Sequence, residues 1–415
     1  MKILLLHNAY KQMGGEDVVV RREHGLLSAH GHDVSLYVES NHSVRSTWDR
    51  IRTAVQAPYS IAARRRVAAE IQRVHPDIVH VHNFFPLLTP SIYDACRAAR
   101  RPVVQTLHNY RLVCMNGFPL RGGDVCEERL AAPIAWRGVR HACYRGSRGA
   151  SGAIVVLLAL HRVLRTWTTK VDVYIAPTEF ARQMFIRGGF PAEKIVVKPH
   201  FVDPDPGRAG GSGEYALFVG RLAEEKGLKT LLAAWPRLAE RIPLKIVGGG
   251  PLASDVERAS RQSPHVEWLR EQPGDRVVTL MKGARVLLFP SRAYETFGMV
   301  IAEAYAVGLP VIAADVGATT SLIAHGRTGL LFRRDDPDDL AAKVAWLWAH
   351  AEDRAAMSRA ARQEFEYKYA AGRNYRALMN IYALAAARSE RPGPTRSMVR
   401  SSPLAQDTYV DGGAA

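Results

Sequence analysis

An α/β protein built as two parallel-sheet domains facing a cleft is predicted by three features of the sequence. Short runs that are apolar throughout recur along the chain, separated by stretches of helical periodicity. Strands of that kind are buried on both faces, the condition of a parallel sheet covered by helices. The alternation breaks once, at the Pro- and Gly-rich residues 204–213, and then restarts. The length of 415 residues suits two domains of ordinary size.

Taken in order, the first strand is read at residues 3–6 of Met1-Lys2-Ile-Leu-Leu-Leu-His7, an apolar run too short for a signal peptide. A Gly14-Gly15 loop and a helix over residues 16–29, closed by Gly31, come next. Strands follow at 34–38, 77–81, 103–107 and 171–176, with Thr178 as the N-cap of a helix that runs to Arg187. Residues 1–203 are thus the first Rossmann-like domain and 204–213 a linker. The second domain, residues 214–365, carries strands at 215–219, 244–247, 266–269, 286–289, 311–313 and 329–332. Asp336-Pro337-Asp338-Asp339 opens a helix with a cap, a proline in the first turn and carboxylates at the positive end. Helices continue to about residue 387. The Ser-, Pro-, Arg- and Gly-rich residues 388–415 are expected to be a disordered tail.

Composition, at 47% hydrophobic and 23% charged residues, is that of an ordinary soluble protein. The longest wholly apolar run, residues 153–160, is far below the roughly 20 needed to cross a bilayer. The formal charge of +16 is uneven: residues 97–170 hold thirteen Lys or Arg against three acids. Such a field attracts nucleic acid, anionic lipid or an anionic substrate. Arg137, Arg140, Arg145 and Arg148 precede the apolar run and His161, Arg162 and Arg165 follow it. That pattern fits either a core helix with solvated arginines or a segment resting on an anionic membrane. Four cysteines do not make a disulfide framework, and a reducing cytoplasm is expected. Cys114, Cys126 and Cys143, with His141, offer a zinc set in principle; ordinary thiols are the expectation.

The chemistry concentrates in two stretches. Ser-Arg-Ala-Tyr-Glu295-Thr-Phe-Gly-Met-Val-Ile-Ala-Glu303 follows a buried strand that ends at Pro290. A helix from about Phe297 would present free N–H groups from Thr296 to Met299 to an anion such as a phosphate, and Gly298 would let that ligand approach. Glu295 and Glu303, on either side, suit neutral hydroxyls. The helix is expected to stop at Gly308, before Pro310. The second stretch is Tyr215-Ala-Leu-Phe-Val-Gly220-Arg221-Leu-Ala-Glu-Glu-Lys226-Gly227, a strand followed by two cations.

The first stretch resembles the Glu-x7-Glu motif of the retaining glycosyltransferases called family 4, or group 1. The second resembles that family's Gly-Arg-x4-Lys element, in the same order and approximate separation. The resemblance covers roughly residues 1–385 and implies the GT-B architecture, in which the final helices, here residues 366–387, return to the first domain. It implies a nucleoside-diphosphate-sugar donor, a saccharide or lipid-linked acceptor in cell-envelope or polysaccharide synthesis, and no cofactor or metal. Arg221 and Lys226 are then the cations on the leaving diphosphate, Glu295 binds the donor sugar and Glu303 the ribose. Phe297, Gly298 and Met299 line the donor site. Gly15 belongs to a flexible loop near the donor phosphate, and His108 of Thr106-Leu-His108-Asn109-Tyr110 contacts the transferred sugar. Front-face attack, with the leaving phosphate taking the acceptor's proton, is the chemistry implied.

Other features are less specific. His80 and His82 share one strand face, as a metal pair, an acceptor-side wall or simple packing would. Gly248-Gly249-Gly250 lacks the dinucleotide pattern. His200 stands in Pro199-His200-Phe201-Val202-Asp203 where relatives often have Pro-Asn-Gly-Val-Asp, which touches the hinge or the acceptor mouth. Asp203-Pro-Asp205 reads as turn chemistry. A nucleotide-sugar epimerase of the same fold and a basic nucleic-acid-binding protein are the alternatives; no nucleic-acid motif supports the second. The expected location is cytoplasmic, peripheral on the inner face of the membrane if residues 137–165 bind lipid.

Overall fold

The computed structural model describes residues 1–11, 14–127, 136–209, 213–238 and 242–390. Its strands are β1 (Lys2–Ala9), β2 (Asp33–Ser40), β3 (Ile78–Asn83), β4 (Val103–Thr106), β5 (Leu120–Arg121), β6 (Asp124–Val125), β7 (Val173–Ala176) and β8 (Ile195–Val197), then β9 (Tyr215–Val219), β10 (Leu244–Val247), β11 (Val266–Trp268), β12 (Ala284–Phe289), β13 (Val311–Ala314) and β14 (Gly329–Phe332). Two six-stranded parallel sheets result, ordered β2-β1-β3-β4-β7-β8 and β11-β10-β9-β12-β13-β14, while β5 and β6 form a small antiparallel hairpin. The α/β class expected from the sequence is the one observed.

Both sheets are buried on both faces because alternate apolar side chains point each way. In the first sheet, Leu4, Leu6, Val79 and Val81 enter one core with Val67 and Ile71 of the Ile61–Val74 helix. Ile3, Leu5, Ile78, Val104 and Val173 enter the other. That second core is closed by Leu378, Ile381, Tyr382 and Ala385 of the last helix, Ala371–Ser389. The chain reaches it through a π-helical turn, Phe365–Tyr369, whose Phe365 and Tyr369 pack in the second domain. Beside this crossing runs the earlier one, with the Val202 N–H donating to the Tyr369 carbonyl at 3.1 Å. The last helix extends to Ser389, slightly beyond the expected residue 387, and the tail expected from residue 388 lies outside the described residues from 391 onward.

Local chemistry explains most boundaries. The Thr178 hydroxyl accepts the Ala181 N–H at 3.1 Å, and the Asp336 carboxylate accepts those of Asp338 and Asp339 at 3.0 and 2.9 Å. Gly308 ends the Met299–Ala306 helix region in the left-handed conformation, φ +72°. That helix begins two residues later than expected. Gly298 adopts φ +99° and keeps Phe297 outside the helix, where its ring is buried.

Sheet order places the site. In the second sheet the order reverses between β9 and β12, whose C-terminal ends carry the two motif stretches. In the first it reverses between β1 and β3, above which lie Gly14, Gly15 and the histidines. Ligands of open α/β sheets bind beyond the strand ends at such switch points.

Candidate active site between the two sheets

Two glycines pack the cation loop against its neighbours, Gly227 against the end of β12 and Gly248, after β10, against Gly220 at the end of β9. Gly227 has φ +71°, and a Cβ there would lie 1.7 Å from the Pro290 carbonyl oxygen. Gly248 has φ +140°, and its Cβ would fall 1.9 Å from the Gly220 oxygen. Only glycine permits either contact. The approach of Gly227 to Pro290 brings the Lys226 ammonium within 2.6 Å of Glu295 Oε1. Ser291 Oγ donates to the same oxygen at 2.8 Å. The Glu295 side chain is nearly buried, so this pairing satisfies a carboxylate that water barely reaches. Arg221 points elsewhere: its guanidinium pairs with Glu225 and is more than half exposed. The two cations expected together on one anion are thus each held by a carboxylate.

Glu303 is held too. Arg22 Nη2, from the Gly15–Ala29 helix of the first domain, lies 3.0 Å from Glu303 Oε1. Burial pushes the Glu303 carboxyl up, and the Arg22 charge offsets part of that shift. On the same side, a Cβ on Gly15 would lie 3.8 Å from Met299 Cγ, so the Gly14-Gly15 turn faces the helix N-terminus across the cleft.

The turn of residues 294–297 joins the domains. Tyr110 Oη donates to the Glu295 carbonyl at 3.1 Å and Thr178 Oγ1 to the Thr296 carbonyl at 3.0 Å. In return, Thr296 Oγ1 donates to the His108 carbonyl at 2.7 Å. Tyr294 packs edge-on against Phe180 at 4.7 Å between ring centres, and its hydroxyl donates to Glu127 at 2.7 Å.

Behind His108 lies a buried chain of imidazoles. His108 stacks on His200 and His82, with ring centres 5.2 and 5.3 Å apart, and His200 meets Phe297 edge-on. His82 Nδ1 and His108 Nε2 are 3.0 Å apart, and His82 Nε2 is 3.2 Å from Glu23 Oε2. The His82 Nε2–Glu23 contact lacks hydrogen-bond geometry; a proton on Nε2 would let His82 Nδ1 accept the His108 Nε2–H and leave His108 Nδ1 its lone pair. Burial would raise Glu23, but the Lys198 charge, 2.8 Å away, and the His82 and His80 contacts outweigh it and hold the carboxyl well below the usual range. Burial holds His80 and His108 well below the ordinary imidazole value, lowers His82, and takes His200 down to about 3. His108 is therefore a neutral imidazole at neutral pH.

Glu23, His80 and His82 are, among the described residues, the one group of three side chains close enough to share a metal. Glu23 supplies a third donor that the sequence did not reveal. Yet its charge is met by Lys198, and both His80 nitrogens have partners, the Tyr382 hydroxyl at 2.9 Å and Thr106 Oγ1 at 2.8 Å. The group fits a buried ion pair better than a metal centre. Cys114, Cys126 and Cys143 form no disulfide and no such group among the described residues.

Sequence reasoning missed Arg22, Glu23, Tyr110, Lys198 and Ser291. Glu23 had a signal: it shares a helix face with the buried Val19, Val20, Leu26 and Leu27, where a charge demands a partner. Ser291 is local, four residues before Glu295 in the same stretch, whereas Arg22, Tyr110 and Lys198 depend on long-range contacts that no local pattern encodes.

Two parallel-sheet domains meeting over a strand-end cleft, with cations and carboxylates at the switch point, define the GT-B class. Solved structures agree in fold. Sucrose-phosphate synthase from Thermosynechococcus elongatus superposes with a TM-score of 0.70 at 17% identity, over 93% of this chain and 99% of that one. Anabaena HepE in complex with UDP-glucose gives 0.65 at 18%, over 92% and 99%. Residues 213–350 match the family model described as glycosyl transferases group 1, and residues 13–206 the one described as glycosyltransferase family 4. The chain belongs to the group 1, family 4 glycosyltransferases. Curated relatives include the sulfoquinovosyl transferase SQD2 of Arabidopsis thaliana, 26% identical over 75% of this chain and 57% of that protein. The D-inositol 3-phosphate glycosyltransferase of Corynebacterium urealyticum is 35% identical over 35% and 37%, and the phosphatidyl-myo-inositol mannosyltransferase of Mycobacterium tuberculosis 32% over 46% and 53%. The matches thus span roughly a third to three-fifths of these relatives' lengths.

The buried imidazoles make acid stability a test of this arrangement. A His whose folded pKa is depressed stays neutral when folded but gains a proton on unfolding below about pH 6.5. Stability from His80, His82, His108 and His200 is therefore full above that pH and declines as pH falls, by about 1.4 kcal/mol per pH unit for each proton. Urea unfolding between pH 7.5 and 5.5 should show the decline, and His200→Asn should reduce its slope by about one proton. Stability independent of pH across that range would contradict the buried neutral chain.

Proposed function

We propose that the chain transfers a sugar from a nucleoside-diphosphate donor to a saccharide or lipid-linked acceptor in cell-envelope or polysaccharide synthesis, with retention at the anomeric carbon and without a metal. The observation that carries this reading is the gathering of Lys226, Ser291, Glu295 and the Gly298 helix start at the β9/β12 switch point, against His108 of the other domain. The phosphates would take the Lys226 and Arg221 charges from Glu295 and Glu225, which hold those cations when no donor is bound. Charge developing on the leaving diphosphate then meets fixed cations and free helix N–H groups, where a few kcal/mol of transition-state stabilisation is typical. Glu303, released from Arg22, would accept ribose hydroxyls, and Glu295 those of the sugar. UDP and UDP-glucose in the HepE complexes and the lipid acceptor in the name of the mycobacterial relative support these substrate classes.

We place the action in the cytoplasm, at the membrane surface. The residue 153–160 run is in large part a core helix: Ile154, Val155 and Leu157 are buried. Val156 and Val163 of that helix are exposed, as is Trp136. The adjoining helix Thr47–Gln56 buries no side chain and exposes Trp48, Ile51 and Val55 at helical spacing, beside exposed Arg45, Arg50 and Arg52. Apolar side chains among bases are the composition of a surface that rests on anionic lipid. No helix among the described residues is long and apolar enough to cross a membrane.

Arg221→Ala and Lys226→Ala should each lower turnover by about 10²–10³ while leaving the fold intact. EDTA should leave wild-type activity in place. Near-wild-type rates in either variant, or strict dependence on a divalent ion, would refute the diphosphate assignment, and product formed without acceptor would point to an epimerase.

Vesicles containing phosphatidylglycerol should carry the protein in flotation and release it at high salt. Reversing Arg137, Arg140, Arg145 and Arg148, or replacing Trp48 and Val55 by Ser, should reduce flotation several-fold, since each base near the surface contributes about 1 kcal/mol. Equal flotation of all three proteins would remove the membrane reading.

A further inference from the structure

Glu16 and Arg111, joined through Asn109, carry three buried polar atoms without a hydrogen-bond partner: Glu16 Oε2 and the Nε and Nη1 of Arg111. Buried polar groups are nearly always paired, so a cluster of orphans around one spot marks a place where a ligand completes the bonding. The surroundings are built to hold both groups. Asn109 ties them together: its Nδ2 donates to Glu16 Oε1 at 2.7 Å, and its Oδ1 accepts the Arg111 backbone N–H at 3.0 Å. The Arg111 guanidinium lies over the rings of Phe85 and Tyr144, 4.7 and 5.3 Å from their centres. Gly117, at φ +78°, lets the loop close on Arg111 Nη2; a Cβ there would sit 3.4 Å away. Burial pushes the Glu16 carboxyl up despite the Asn109 bond and the nearby Arg111 charge. Asn109 and Arg111 line the same pocket as His82, Phe85 and His108.

We propose that Arg111 and Glu16 form the acceptor subsite, and that the acceptor carries an oxyanion, a phosphate or a carboxylate. Arg111 binds that group, and Glu16 accepts a neighbouring hydroxyl. A guanidinium packed over two rings loses little freedom on binding, which suits it to a desolvated anion. Glu16 sets the opposite preference a short distance away, so an acceptor with an anion and a free hydroxyl in that order is favoured over a neutral one. The inference rests on the transferase reading for the identity of the ligand, but its test does not need turnover.

The test is calorimetry on the full chain carrying Arg221→Ala and Lys226→Ala, which removes the proposed donor-phosphate cations. Inorganic phosphate, glucuronate and glucose are titrated separately. Saturable binding of phosphate or glucuronate, with none of glucose, is expected, and whichever binds identifies the oxyanion. Adding Arg111→Met should weaken it at least about tenfold, and adding Glu16→Gln should tighten it about threefold by removing a facing negative charge. A fold defect cannot tighten binding, so the Glu16→Gln arm decides if Arg111→Met does not fold. Absence of oxyanion binding, unchanged affinity in a folded Arg111→Met protein, or no gain in Glu16→Gln overturns the proposal. Failure of the donor reading would register elsewhere, as wild-type turnover in the Arg221 and Lys226 single variants.

Discussion

The turn of residues 294–297 is the constraint on which the cleft depends. It leaves β12 in one domain, yet its carbonyls are satisfied by Tyr110 and Thr178 of the other, and Thr296 returns a bond to His108. A buried carbonyl left without a donor costs about 1–3 kcal/mol, so separating the domains is opposed by several such groups at once unless water replaces each bond. The same turn carries Glu295 to Lys226 and sets Phe297 against His200. Interdomain geometry and site geometry are therefore one property of the chain.

Charge is managed by pairing throughout the cleft. Glu23 is fully buried and tolerated because Lys198 lies 2.8 Å away and Asn374, from the last helix, accepts from the same ammonium at 2.9 Å. Breaking such a pair by removing one partner typically costs about 3–5 kcal/mol. The returning helix is thus joined to the imidazole chain by polar bonds as well as by its apolar face. At the cleft surface the pairs are more open to solvent: Lys226 with Glu295, Arg221 with Glu225, Arg22 with Glu303. A diphosphate and a ribose offer the chemistry to exchange each of these partners, which fits a site that holds its charges ready and gives them up to a ligand.

Much of the fold was legible because double-sided burial leaves an apolar run in every central strand, as at residues 3–6 and 286–289. Edge strand β8 escaped notice because its apolar run is only Ile195-Val196-Val197 between Lys194 and Lys198, and as an edge strand it leaves Val197 exposed. The hairpin of β5 and β6 is two residues per strand and carries no periodicity at all. The motif residues Arg221, Lys226, Glu295 and Glu303 could be named from the family resemblance of their two stretches, but their partners could not. Arg22 reaches Glu303 across 281 positions of sequence and from one domain to the other, and Lys198 reaches Glu23 across 175 within the first domain, distances that only the folded chain closes. The apolar stretch at residues 153–160 shows the complementary limit: composition alone did not say which of its side chains face inward.

The most direct measurement is the affinity of a nucleoside diphosphate relative to its 2′,3′-dideoxy analogue, in wild type, Glu303→Ala and Arg22→Ala. If Glu303 holds the ribose hydroxyls once Arg22 lets go, the wild-type preference for the hydroxylated ligand, about tenfold or more for charge-assisted hydrogen bonds, should vanish in Glu303→Ala and persist in Arg22→Ala. A preference that survives in Glu303→Ala, or disappears equally in Arg22→Ala, would show that Glu303 serves the interdomain ion pair and not the nucleotide.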